Sequence, residues 1–140
     1  MVIWTNQMKC CGGALFVAAL IVLSDAGYSQ DRGGRMAPPA ILKCDRSDLT
    51  LYDGRVLTYR RRKGSTFLRV RTSFDTTEAV TIRHPGDPSE FYLINGEPFT
   101  KADWGRIEKA KGVLRPGVKA NIWVCRGNPK IQPVVDWRIQ

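Results

Sequence analysis

The sequence has very little of what most enzymes use for catalysis. Histidine occurs once in 140 residues, at His84, so there is no histidine cluster for a metal ion and no evident pairing with a serine or cysteine nucleophile. A glycine-rich phosphate loop and a G-x-S-x-G motif are also missing. The chain is therefore expected to bind a partner rather than to catalyse a reaction, and no cofactor or metal site is predicted.

A long apolar run is missing as well. The uncharged residues 10–24 follow a lysine but are fewer than the roughly 20 that a membrane-spanning helix needs. Small residues at positions 24 and 26 form a cleavage pattern. We predict a signal peptide over residues 1–26, with cleavage after Ala26 or, as a second choice, after Ser29. An uncleaved anchor is the weaker alternative, because a polar stretch follows; the protein is expected to be periplasmic or secreted, without a transmembrane anchor after processing.

Acidic residues are scarce relative to basic ones. The formal net charge is +9, and the chain after the predicted signal keeps 21 basic residues against 12 acidic. Such an excess concentrates anions near the surface without selecting among them. Export favours an anionic glycan, lipopolysaccharide or a partner protein as the partner, and nucleic acid is a possible alternative.

Only two cysteines remain once the predicted signal peptide is removed. Cys44 and Cys125 remain, too far apart for a C-x-x-C redox or zinc motif. In an oxidising compartment we predict that they form one disulfide, which in the chain-entropy model contributes on the order of 4 kcal/mol. Two free thiols are the alternative.

Two regions follow the signal: a lead-in and a strand-rich body. Residues 27–43 contain Gly, Pro and charge without periodicity and predict a flexible lead-in. From residue 44 onward the pattern is mostly period two, which indicates half-buried strands. In residues 66–74 the alternation predicts an inner face of Leu68, Val70, Thr72 and Phe74.

One short helix is expected between the strands. Thr100 is the predicted N-cap, with Asp103 as its capping-box partner, residues 101–111 as the body and Gly112 after its end. Upstream, Asn95-Gly96 predicts a hairpin.

Asp53-Gly54 allows two interpretations. The dipeptide is either a two-residue hairpin turn or, with Gly54 at a bulge or sharp bend, part of one long first strand. The apolar positions change parity across it, which favours the bent strand.

The order strand, strand, strand, helix, strand, strand resembles the OB-fold. That fold is a five-stranded Greek-key barrel with a helix between strands 3 and 4, and the resemblance covers residues 44–140. It implies an all-β domain with one short helix. It also implies a first strand antiparallel to the fourth, which would bring Cys44 and Cys125 together.

The resemblance implies a binding surface on strands 2 and 3 and on the loops that join strands 1 to 2 and 4 to 5. The basic residues in these elements are Arg60, Arg61, Arg62, Lys63, Arg69, Arg71, Arg83, Arg126 and Lys130. Tyr59 and Phe67 are the candidates for stacking. The alternative is that Arg60 to Lys63 form a solvated loop, since edge strands commonly carry cations.

Three functions fit these patterns. The first is an exported binding or accessory domain that contacts an anionic envelope component or partner protein through basic loops. The second is an extracytoplasmic single-stranded nucleic-acid-binding protein. The third is a small hydrolase or metal-dependent enzyme that uses carboxylates such as Asp75 and Glu78.

Overall fold

The computed structural model describes residues 36–140. The predicted signal peptide and the first part of the lead-in lie outside the described residues. Within the described part the chain is mostly β with one short helix, as the sequence predicts. No helix in that part is long and apolar enough to span a bilayer.

Residues 36–140 contain nine strands and one α-helix. In chain order they are β1 (Leu49–Arg62), β2 (Ser65–Thr72), β3 (Thr77–Arg83), β4 (Tyr92–Ile94), β5 (Glu97–Pro98), α1 (Trp104–Ile107), β6 (Glu108–Ala110), β7 (Val113–Leu114), β8 (Lys119–Cys125) and β9 (Val134–Arg138). Short 3₁₀ turns precede β1, β4 and α1.

Seven strands form one mixed sheet in the order β3-β2-β1-β8-β9-β4-β5, and β6 pairs with β7 in a separate hairpin. All pairs are antiparallel except β4 with β9. The closed five-stranded barrel expected from the sequence is not what forms. Residues 92–94 form β4 and pair with the side of β9 that would otherwise face β3. The sheet therefore stays open, with β3 and β5 as its two edge strands.

The inner face of the sheet encloses one apolar core. Its buried members are Leu68, Val70, Val80, Ile82, Tyr92, Ile94, Ile107, Val118, Ala120, Ile122, Val135 and Trp137. These residues come from β2 and β3 at one side of the strand order and from β9 and β4 at the other. Because they pack in one cluster, the sheet must curve around them. Trp137 is fully buried and meets the rings of Tyr59 and Tyr92 edge-on, with centroids 5.8 and 5.4 Å away.

β1 is one continuous strand of 14 residues, so the hairpin interpretation of Asp53-Gly54 is wrong and a single long strand forms, but the expected bulge is not at Gly54. Gly54 lies between two neighbouring strands, and a Cβ there would collide with the backbone carbonyl of Arg71. Glycine therefore permits the close approach of β2. The register shift itself comes later, between Val56 and Thr58, where Leu57 is the extra residue.

The helix is shorter than the sequence predicts. The capping box of Thr100 and Asp103 is present, but α1 ends at Ile107. Glu108 leaves the helix because its buried carboxylate binds side chains of β1. Gly112, with φ +78°, serves the β6–β7 turn instead of ending a helix.

The alternation in β2 stops earlier than expected. Leu68, Val70 and Thr72 are buried, whereas Phe74 is 85% exposed. Thr72 donates its N–H to the carbonyl of Thr76 and closes a turn. Phe74 therefore sits in the β2–β3 turn and not on the inner face.

The predicted disulfide joins Cys44 to Cys125, with 5.8 Å between the Cα atoms. Beside it a second apolar cluster of Leu42, Leu93, Trp123 and Val134 covers the outer face of the sheet around β8 and β9. Leu42 belongs to the predicted lead-in. This cluster also packs on Leu49 and Leu51, so the outer face of the second half of β1, together with that of β2 and β3, is the exposed side of the sheet.

Candidate functional site

Cross-strand register places arginines side by side on the outer face of β1, β2 and β3. Directly opposed residues lie on the same face of a sheet. The four outward rows are Arg62–Ser65–Arg83, Arg60–Phe67–Thr81, Thr58–Arg69–Ala79 and Arg55–Arg71–Thr77. We call the surface formed by Arg55, Arg60, Arg62, Arg69, Arg71, Arg83 and Phe67 the arginine face.

Burial of the alternate residues fixes which way the arginine face points. Leu68 and Val70 on β2 are completely buried, so Phe67, Arg69 and Arg71 must point outward. On β1 the extra residue Leu57 resets the alternation. All six arginines of the face are exposed, and Phe67 is half-buried.

The charge of the arginine face is largely uncompensated. Arg71 binds Asp75, with 2.7 Å between its Nε and a carboxylate oxygen. Within residues 36–140 the other five arginines form no ion pair. The residues between them carry short side chains, namely Thr58, Ser65, Thr77, Ala79 and Thr81. An anion can therefore approach several guanidinium groups at once.

Arg61 and Tyr59 point the other way, into the fold. Arg61 donates a 2.7 Å hydrogen bond to one carboxylate oxygen of Glu108, and Tyr59 donates a 2.6 Å bond to the other. The guanidinium carbon of Arg61 also lies 3.9 Å from the centroid of the Trp104 ring, a cation–π contact. The four predicted cations are thus divided: Arg60 and Arg62 join the arginine face, while Arg61 is held inside and Lys63 lies exposed in the turn.

Burial changes the acidity of this inner cluster. It raises the pKa of Tyr59 above its ordinary value, and the hydrogen bond to Glu108 adds to the rise. Burial also raises the pKa of Tyr92 to about 12. Tyr59 is therefore a neutral donor to Glu108, and its ring packs edge-on against Trp137. Of the two stacking candidates, only Phe67 is on the arginine face.

The β8–β9 loop carries the two remaining predicted cations. Arg126 donates to the hydroxyl of Tyr52 at 2.8 Å, and the backbone N–H of Lys130 donates to Asn128. The same loop reaches β3, where the side-chain oxygen of Gln132 accepts a 2.7 Å hydrogen bond from the backbone N–H of Arg83. The loop therefore adjoins one corner of the arginine face, whereas Arg126 is held by Tyr52 near the first half of β1.

Three contributors were not predicted from the sequence. Arg55 belongs to the arginine face, and the alternation of β1 before the bulge would have identified it. Glu108 was assigned to a helix, and its spacing from Tyr59 gives no local signal. Gln132 precedes Pro133 in a segment whose contact with β3 depends on the tertiary fold.

Two of the groups on which an enzyme hypothesis depends, Asp75 and His84, are otherwise engaged. Asp75 is paired with Arg71. His84 is buried, with Nε2 3.1 Å from the Thr66 hydroxyl and Nδ1 2.7 Å from the Gly86 carbonyl. Within residues 36–140 no three His, Cys, Asp or Glu side chains are grouped to hold a metal ion.

Comparison with known proteins gives no family for this chain. No protein-family model, no curated protein and no solved structure matches the sequence.

Proposed function

We propose that this protein is an exported binding domain that contacts an anionic component of the cell envelope, or an anionic partner protein, through the arginine face. The observation that carries the proposal is that five arginines from three strands share one sheet face without an ion-pair partner among residues 36–140. A polyanion laid across β1, β2 and β3 would contact several of them together.

Charge repulsion supports this interpretation over that of a solvated tip. Arg60 is diagonal to Arg69, and Arg55 is directly opposite Arg71, whose charge Asp75 offsets in part. Like charges in cross-strand positions destabilise a sheet. A face that only needed to stay soluble would be served by dispersed charges of both signs. Binding an anion would relieve this repulsion.

We further propose that the domain is OB-like. Its five longest strands are ordered β3-β2-β1-β8-β9, which corresponds to 3-2-1-4-5 in the five-stranded barrel and includes the expected antiparallel pairing of strands 1 and 4. The arginine face then corresponds to the surface that OB-folds use for oligomeric ligands. The short strands β4 and β5 are an addition at the edge of strand 5.

An extracytoplasmic location is part of the proposal. It rests on the predicted signal peptide and agrees with the Cys44–Cys125 disulfide, since structural disulfides are typical of oxidising compartments. In such a place the abundant anions are envelope glycans and phosphorylated lipids.

Nucleic acid is a weaker ligand for this face. Single-stranded binders stack successive bases on several aromatic side chains. Here Tyr59 is turned inward, so Phe67 is the one aromatic residue in the outward rows of β1, β2 and β3. An anionic glycan or lipopolysaccharide does not need base stacking.

The test is the affinity of the oxidised protein for lipopolysaccharide, heparin and single-stranded DNA across a salt series. An Arg60/Arg62/Arg69→Ala variant is compared with a Lys101/Lys109/Lys111→Ala variant, which loses the same charge elsewhere. We expect the arginine variant to lose about tenfold or more in affinity and part of the salt dependence, while the lysine variant retains both.

Equal losses in the two variants would show that net charge alone attracts the polymer, and the proposal would be wrong. Tightest binding to single-stranded DNA, lost in Phe67→Ala, would instead support the nucleic-acid function.

A further inference from the structure

The cations of the arginine face are all of one kind. The chain contains eight lysines, yet strands β1, β2 and β3 carry six outward arginines and no lysine. Lysine is sufficient to keep a strand soluble. Arginine differs because its planar guanidinium makes paired hydrogen bonds to oxyanions. The composition of the face therefore points to recognition of a specific oxyanion.

One row of the face has the geometry of a small anion site. Arg62 and Arg83 flank Ser65, which is directly opposite both of them in the register. The two arginine Cα atoms are two strand spacings apart, about 10 Å, so both side chains can reach an anion above Ser65. Within residues 36–140 the Ser65 hydroxyl and the two guanidinium groups make no side-chain hydrogen bond.

The backbone around this row is held from three sides. Gln132 accepts the N–H of Arg83 on the edge of β3. Gly64, with φ +82°, closes the tight turn between Arg62 and Ser65. Arg61 is anchored by Glu108 and the Trp104 ring. The backbone of the row is therefore fixed, which removes the backbone part of the entropy cost of binding.

We propose that Arg62, Ser65 and Arg83 form a binding site for a phosphate group carried by the anionic ligand. This inference rests on the proposed function and names the chemistry that the arginine face selects. The phosphate group lies above Ser65. Its oxygens accept one hydrogen bond from the serine hydroxyl and further hydrogen bonds from the N–H groups of the two guanidinium groups on either side.

Phosphate fits these three donors better than a carboxylate does. The oxygens of a phosphate group point to the corners of a tetrahedron, so they can meet donors that converge from different sides, and a terminal monoester adds a third free oxygen and a charge near −2. A carboxylate offers two oxygens in one plane and a single charge. The acceptor lone pairs of a carboxylate all lie in that plane, so two arginines from different strands and the serine hydroxyl between them would meet it with poorer geometry.

The test compares two soluble polymers, inorganic polyphosphate and poly-L-glutamate, matched in net charge and ionic strength. We expect the oxidised protein to bind polyphosphate about tenfold more tightly. The double variant Arg62→Lys/Arg83→Lys keeps the charge and removes the fork-shaped donors, so it should lose most of this preference while still binding both polymers. Ser65→Ala should weaken polyphosphate binding by about threefold to tenfold.

Arg46→Lys/Arg115→Lys is the matched control, since both arginines are exposed and lie outside the arginine face. It should keep the full preference. Equal affinity for the two polymers, or an unchanged preference in the Arg62/Arg83 variant, would overturn the phosphate site but leave the polyanion function standing. Binding of neither polymer, together with a negative result for lipopolysaccharide and heparin, would overturn both.

A second arm identifies the source of the phosphate. Vesicles that contain phosphatidate are compared with vesicles given the same surface charge by oleate. Preference for phosphatidate assigns the phosphate to a lipid headgroup, and preference for polyphosphate alone assigns it to a soluble polymer. Equal binding to both vesicle types, with no preference for polyphosphate, would contradict the site.

Discussion

Tyr59 donates a 2.6 Å hydrogen bond to a carboxylate oxygen of Glu108, 49 positions further along the chain. The second oxygen is occupied by Arg61. This carboxylate thus connects the end of β1 to the start of β6 and holds two inward residues on either side of Arg60. The outward position of Arg60 depends in part on that inner anchor.

Glu108→Gln should lower the free energy of unfolding by about 2 kcal/mol, because hydrogen bonds to a charged group are lost and the half-buried Arg61 loses its counter-ion. Urea unfolding measures the change. Glu97→Gln, an exposed carboxylate on β5, is the control and should be close to wild type. A Glu108 variant as stable as the control would show that the inner network adds nothing to stability.

Gly54→Ala should destabilise the protein by about 1–3 kcal/mol, because the new Cβ would collide with the Arg71 carbonyl and push β1 away from β2. Gly105→Ala is the matched substitution. Nothing lies within 4 Å of a Cβ at Gly105, and alanine favours its helix, so that variant should be neutral or slightly stabilised. Thermal unfolding of both variants measures the difference. Equal melting temperatures would show that a Cβ at position 54 does not destabilise the sheet.

Replacing both Cys44 and Cys125 with serine should cost about 4 kcal/mol in the chain-entropy model, since the bond closes a long loop of the unfolded chain. Denaturant titration of the oxidised protein and the double variant gives the difference. Reduction of the wild type should reproduce the loss. A reduced protein as stable as the oxidised one would mean that Leu42 and its cluster hold the segment without the bond.

Stability should fall at alkaline pH. Burial raises the pKa of Tyr92 to about 12, from an ordinary value of about 10, and the pKa of Tyr59 is raised as well. Because the unfolded chain ionises first, the stabilisation is complete below pH 10 and is lost as the pH rises through the folded-state pKa.

Tyr92→Phe tests the assignment of this pH dependence. Within residues 36–140 the Tyr92 hydroxyl has no hydrogen-bond partner, so the variant should change stability at neutral pH by less than about 1 kcal/mol. It should, however, reduce the slope of unfolding free energy above pH 10. An unchanged slope in urea titrations between pH 9 and 12 would assign the alkaline loss to other groups.

Local sequence features predicted several parts of this fold. The Asn95-Gly96 hairpin forms, with Asn95 at φ 52° and Gly96 at φ 88°, because the dipeptide itself prefers that turn. The disulfide pairing was predictable because two cysteines remain once the predicted signal peptide is set aside. The continuity of β1 was also predictable, although the change of parity on which the prediction rested has another origin: Leu49 and Leu51 pack against the outer cluster.

The remaining differences depend on distant contacts. The end of α1 is set by Tyr59 and Arg61, which draw Glu108 out of the helix. The position of β4 on the edge of β9 decides that the sheet stays open. The local sequence around Glu108 does not reveal its contacts with Tyr59 and Arg61, and the local sequence of β4 does not reveal its pairing with β9. The alignment of arginines was foreseen for β2 and β3, but the division of Arg60 to Lys63 between two sides of the sheet was not.

The bulge at Leu57 sets which residues at the end of β1 face outward and which face inward. Strand alternation counts residues in twos, so the side on which each cation emerges depends on the number of residues between the bulge and the hairpin. Deleting Leu57 would leave a regular strand with Arg60 and Arg62 still outward. Inserting one residue between Thr58 and Arg60 while the bulge stays at Leu57 would exchange the sides, sending Arg61 to solvent and a neighbouring arginine into the apolar interior. The length of this segment is thus under tighter constraint than the identity of any exposed residue within it.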